Sequence, residues 1–127
     1  VKSHHLSVRG QLISLNFERK MHHMTRADAV RQWRTDAGWE AKAARLPHLE
    51  RVSIVAQPFQ RRAVLGDAGN HLPSVKAIID GLVDAGVLDD DGPDHVTALT
   101  LLAPRRATHA TTDTVTIELV EVASNGS

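Results

Sequence analysis

Two kinds of hydrophobic pattern divide this chain. From Thr114 to Val122 apolar and polar residues alternate, with Val115, Ile117 and Leu119 on one face and Thr116 and Glu118 on the other, the period of a half-buried strand. Gln11–Phe17, Arg51–Gln57 and Val96–Ala103 are short, largely apolar or β-branched runs and predict three more strands, the second ending at Pro58. Elsewhere the spacing is helical. Val30, Trp33, Ala37, Ala41 and Ala44 recur every three or four residues and predict a helix over about 26–45, N-capped by Thr25 and stopped by Leu46-Pro47. Leu72, Val75, Ile79 and Leu82 predict a second helix, with Pro73 in its first turn and Gly86 after its last. The order is β-α-β-α-β-β. That predicts an α/β (α+β) fold: one small domain over 1–127, a mixed sheet with two helices, and flexible ends at 1–9 and 124–127.

Composition narrows the chemistry. Cysteine is absent, which excludes disulfide scaffolds, thiolate metal sites and cysteine nucleophiles and makes a reducing, cytoplasmic setting the expectation. No apolar run approaches a membrane span, and no apolar stretch follows the first residues as a secretory signal requires. Aromatic residues are 3% of the chain, so the core must come from Val, Leu, Ile and Ala.

The net charge is zero, but residues 1–62 hold twelve of the fifteen Lys and Arg against five acids, and the remainder reverses the ratio. A basic half suggests a polyanionic partner. The alternative is two halves that neutralise one another across the fold, with the arginines of the first helix forming a solvated face.

Acidic residues flank the second helix. Asp67 precedes it and Asp89-Asp90-Asp91 follow it. Sixteen residues of helix separate its ends by about 24 Å, so these acids meet only if the chain folds back along the helix. If they meet, they form an all-oxygen site suited to Mg²⁺ or Mn²⁺. The plain alternative is surface pairing of Lys76 with Asp80 at i,i+4, plus an acidic turn. Asp89–Asp94 lacks the glycine and glutamate positions of an EF-hand, Gly66–Asn70 lacks the ending of a phosphate loop, and the eight histidines show no zinc spacing.

Asp67-Ala68-Gly69-Asn70, the run Pro73-Ser74-Val75-Lys76-Ala77-Ile78-Ile79-Asp80-Gly81-Leu82-Val83-Asp84-Ala85-Gly86, and Asp89-Asp90-Asp91 together resemble the RusA family of Holliday junction resolvases. That family carries D-x-D-N, then a K-A-x-x-D-x-L-x-x-A-G helix, then an acidic pair. Leu15-Asn16 with Arg19, and Trp33-Arg34, resemble its phage-type branch, and the resemblance covers about residues 10–122.

The resemblance implies a homodimeric, metal-dependent endonuclease that binds four-way DNA junctions and hydrolyses two strands symmetrically. It implies Asp67, Asp91 and Lys76 as catalytic residues, Asp67, Asp90 and Asp91 as ligands of Mg²⁺ (or Mn²⁺), and Asn70 and Asp80 in support. DNA phosphates would then be held by Arg19, Lys20, Arg26, Arg34, Arg61 and Arg62. It also implies a phage or prophage origin and action in the host cytosol. One position departs from the family: Gly69 stands where the second motif aspartate is expected. That opens a second reading, a junction-binding protein with weakened or lost cleavage. A third class is a metal or protein-interaction domain unrelated to nucleic acid.

Overall fold

The computed structural model describes residues 2–13, 23–61, 65–107 and 112–123. Its elements are β1 (Ser3–Gly10), α1 (His23–Ala43), β2 (Val52–Gln60), α2 (Leu72–Asp84), β3 (Val96–Leu101), β4 (Arg105–Arg106) and β5 (Asp113–Glu121). The expected α+β architecture, one mixed sheet and two helices, is the one observed. The strands run in the order β1-β5-β2-β3, with β4 continuing the β3 edge beside β2. β5 is antiparallel to both of its neighbours, whereas β3 and β4 run parallel to β2.

Both helices pack on one face of this sheet and against each other. The inward positions are Leu6 and Val8 of β1, Val52, Ile54 and Ala56 of β2, and Val115, Ile117 and Leu119 of β5, all buried. The pairing makes this a registered set: Leu6 faces Ile117, which faces Ala56 on its other side. From the helices come Trp33, Ala37 and Ala41 of α1 and Val75, Ile78, Ile79 and Leu82 of α2. Full burial of a large aliphatic or aromatic side chain contributes roughly 1.5–3 kcal/mol, so this single apolar layer supplies the main drive to fold.

Several expectations change. Of the strand expected over Gln11–Phe17, Gln11–Ile13 belong to no strand and 14–17 lie outside the described residues, as do 124–127; the first strand described is Ser3–Gly10, all but its last residue within the stretch expected to be flexible. Its weak sequence signal has a simple cause: only Leu6 and Val8 face the core, and the positions between and beside them are mostly exposed. Trp33 fixes where the strand stops. Its indole nitrogen donates to the Gln11 carbonyl at 2.8 Å, and its ring lies so close over Gly10 that an added Cβ would stand 3.0 Å from it.

α1 runs from His23, so Thr25 lies inside the helix and not at its cap. It ends before Pro47, because Arg45 takes a left-handed conformation (φ 54). The Arg45 and Leu46 amides then donate to the carbonyls of Lys42 and Ala41. β2 passes through Pro58 to Gln60. The amide position of Pro58 faces the break between β3 and β4, where no ladder bond is lost. Gln57 fills that break, donating to the Ala103 and Pro58 carbonyls. β3 stops at Leu101, and the expected final connection contains the two-residue β4. Among the described residues no helix is long and apolar enough to cross a membrane.

Candidate active site

The acid-bearing loop before α2 is shaped by its own backbone. The Asn70 amide donates to the Asp67 carbonyl and the Leu72 amide to the Gly69 carbonyl, two overlapping turns. The first carries Gly69 as its third residue at φ +84, a conformation that side-chain-bearing residues rarely adopt. The position at which the resemblance expects an aspartate is thus occupied by a residue the turn geometry favours. Buried Gln60 anchors the loop from beneath, its Oε1 accepting from the Gly66 amide at 3.1 Å. Asp67 itself is exposed.

Lys76 and Asp91 are brought together. Residues 85–95 turn back along α2, and Lys76 Nζ donates to Asp91 Oδ2 at 3.2 Å. The fold-back starts where α2 ends: the Gly86 amide donates to the Val83 carbonyl and the Val87 amide to that of Leu82. Burial of Val87 and Leu88 then pins the chain against the core, leaving Asp89, Asp90 and Asp91 exposed. The Lys76 hydrogen bond and charge, with a smaller contribution from Asp90, hold the Asp91 carboxyl below its ordinary value. Both side chains stay well exposed, at 50% and 37%. A pair that exposed contributes about 0–1 kcal/mol to stability.

The other site residues separate. Asp89 pairs with His48 at 3.0 Å, away from Lys76. Asp84 takes both the Nε and the Nη2 of Arg34, at 2.6 and 2.8 Å, and Asp80 adds its charge to the same guanidinium. The i,i+4 pairing of Lys76 with Asp80 is therefore not the arrangement formed. Among the described residues, no three of His, Asp and Glu converge closely enough to hold a metal ion, so Asp67, Asp90 and Asp91 are not gathered into one group. Their chemistry is all carboxylate oxygen, which suits a hard cation.

Of the phosphate-binding candidates, Arg61 is exposed just after β2, Arg26 lies near the start of α1, and Arg34 is half exposed in its pair with Asp84. Arg19, Lys20 and Arg62 lie outside the described residues.

Three residues not singled out from sequence organise this end of the sheet. Asp113 opens β5 and accepts from the Leu12 amide at 3.2 Å and the Arg61 amide at 3.0 Å, tying the loops after β1 and β2 together. Ser74 Oγ accepts from the Ile13 amide at 2.8 Å. His71, the N-cap residue of α2, is 4% exposed, and neither ring nitrogen has an aligned hydrogen-bond partner among the described residues. Burial lowers its pKa, opposed in part by the Ile13 backbone and the Asp113 carboxylate. A single sequence carries no period or spacing that marks any of the three.

Comparison with protein-family models and with functionally characterised proteins finds no match to this sequence.

Proposed function

We propose that this chain is a metal-dependent, structure-selective endodeoxyribonuclease that acts as a homodimer on four-way DNA junctions in the cytosol, as members of the RusA family do. The observation that carries the reading is the Lys76–Asp91 pair. Two residues fifteen positions apart, both on motif positions, meet because the chain folds back along α2. A carboxylate kept ionised by an ammonium group, both open to solvent, is poorly suited as a structural staple, and it sets a donor for a phosphate oxygen beside a ligand for a hard cation.

In this reading Lys76 donates to a non-bridging phosphate oxygen and offsets the charge that builds there during hydrolysis. Asp67, Asp90 and Asp91, not gathered in this structure, would have to converge to hold Mg²⁺ or Mn²⁺, and the ion would then supply an activated water and neutralise the leaving oxygen. Exposed Arg61 holds a DNA phosphate, and a two-fold dimer presents one site to each of two strands.

Gly69 supports the second reading, junction binding with weakened or lost cleavage, because the loop's turn geometry takes the position of a motif carboxylate. One assay separates the two. A labelled synthetic four-way junction is incubated with and without Mg²⁺, using the wild type, Asp91→Asn and Lys76→Met. Paired cuts by the wild type, lost in both variants while gel retention persists, support the nuclease. Retention without cutting supports the binding protein, and neither outcome in any form overturns both.

A further inference from the structure

The face of the sheet opposite the helices carries a second chemistry. Following the registered pairs across it, Arg9 of β1 lies beside Thr114 of β5, Thr114 beside Phe59 of β2, and Phe59 beside Arg105 of β4. These four residues form one row on the outward side, since their neighbours Val8, Val115 and Pro58 are the inward, buried ones. Three strand spacings of about 4.8 Å set the two arginine backbones roughly 14 Å apart, with the phenyl ring between them. Exposed Arg61 follows two residues after Phe59.

Among the described residues the guanidinium groups on this row form no ion pair, and the Asp113 carboxylate at its end is taken up by the Leu12 and Arg61 amides. Arg9, Arg61 and Arg105 are exposed, and among the described residues no acid side chain pairs with the guanidinium of any of them. Glu118, the one carboxylate on the outward side of the described strands, sits two rows away and faces His5 at 3.9 Å. Beyond this row the outward side carries hydroxyls at Ser7, Thr116, Ser53 and Thr100, the Gln57 amide, and the aliphatic Val55 and Val120. Among the described residues no helix packs against this side. An aromatic ring on an open sheet, flanked by unpaired guanidinium groups, matches an extended polyanion with exposed planar groups. A duplex offers the phosphates but keeps its bases stacked within, out of reach of Phe59.

We propose that this outer face binds single-stranded nucleic acid, with Phe59 stacking on one base and Arg9, Arg105 and Arg61 holding the flanking phosphates. The site is separate from Lys76 and Asp91, which lie on the helix side, and it stands whether or not the chain cuts DNA.

The test is fluorescence anisotropy of the full chain with a labelled twelve-nucleotide single strand across a salt series. Arg9→Glu and Arg105→Glu, both at exposed positions, should each weaken binding and lower the logarithmic salt slope by roughly 0.7 for each phosphate no longer neutralised. Phe59→Leu should weaken binding about ten-fold with the slope unchanged. Arg9→Glu and Arg105→Glu should leave the behaviour on a four-way junction as in the wild type, which separates this outcome from failure of the nuclease reading. Unlabelled duplex of equal length should compete poorly. Wild-type affinity in both arginine variants overturns the proposal, as does equal competition by duplex. A dimer that Arg9→Glu dissociates would also overturn it, by showing that a second copy covers this face.

Discussion

Gly81 of α2 lies directly against the backbone of Arg34 in α1, so close that a Cβ on Gly81 would run into the Arg34 carbonyl and stand 2.8 Å from the Cβ of Ala37. The two helices touch here backbone to backbone. A side-chain tie flanks this point: Arg34 and Asp84 pair one turn beyond Gly81. Gly81→Ala must therefore push the helices apart or displace one along the other. It should destabilise the protein by about 1–3 kcal/mol, the usual cost of overpacking, read as a lower urea midpoint. Gly38 is the control. An added Cβ there would sit 3.5 Å from the Gly81 carbonyl, an ordinary separation. Gly38→Ala should be neutral or stabilising by up to about 1 kcal/mol, because alanine is the better helix former. Equal losses in both variants would show that the close approach is not the cause.

Arg45 closes α1 in the left-handed conformation that Gly86 adopts at the matching point after α2. A residue with a Cβ is strained there by about 1–2 kcal/mol. Its side chain is exposed and makes no tie among the described residues that its removal would sacrifice. Arg45→Gly should accordingly raise stability by about 1 kcal/mol, less whatever flexibility glycine adds to the unfolded chain. A thermal or urea midpoint that falls would mean the arginine makes a compensating interaction.

What could be read in the sequence follows from how each signal is built. α2 was legible at both ends because Pro73, four apolar positions and Gly86 each constrain the backbone locally and agree. β5 was legible because it buries every second residue along its middle. β1 was not: Leu6 and Val8 alone carry its pattern, and it becomes a strand only through its ladder with β5, more than a hundred residues away. Pro58 misled for a related reason, since its lack of an amide matters only if a neighbour stands opposite. At the site, the motif spacing pointed to Lys76 and Asp91, but the fold-back that joins them rests on the burial of Val87 and Leu88. The ties of Asp113 to Leu12 and Arg61 depend wholly on strand order, which local pattern does not encode.

His71 should make stability depend on pH in a narrow window. Its buried imidazole has a folded-state pKa below the unfolded value of about 6.5, chiefly because burial disfavours the cation. Above that pH both states are neutral and nothing is lost. As pH falls through 6.5 the unfolded chain takes up the proton first, so stability declines toward the lower folded value, by at most about 1.4 kcal/mol per pH unit for one proton. The depressed carboxyls of Asp84 and Asp91 act in the same direction but only near and below the ordinary carboxylate value of 3.8. Urea denaturation of wild type and His71→Leu between pH 7.5 and 5, as test conditions, should show the wild type losing stability and the variant losing less. Parallel curves would assign the decline to other groups.

Gly69 offers the sharpest test of the site. Introducing the carboxylate that the resemblance expects, Gly69→Asp, meets open space, the nearest described side-chain atom being Leu101 Cδ1 at 3.8 Å from an added Cβ. The cost lies in the backbone: at φ +84 a Cβ is strained by about 1–2 kcal/mol, and aspartate bears this better than most residues. Gly69→Ala carries the strain without the carboxylate, so the difference between the two variants isolates the ligand. Both should show a lowered urea midpoint, with Asp less affected than Ala. If Asp67, Asp90 and Asp91 hold the ion, Gly69→Asp should cut a four-way junction at a lower Mg²⁺ concentration than Gly69→Ala, with both assayed where they remain folded. Mn²⁺, which binds such ligands more strongly, should narrow the gap. Identical metal dependence in the two variants would mean that the side chain at this position does not face the ion, and that the loop is not in register with the family motif.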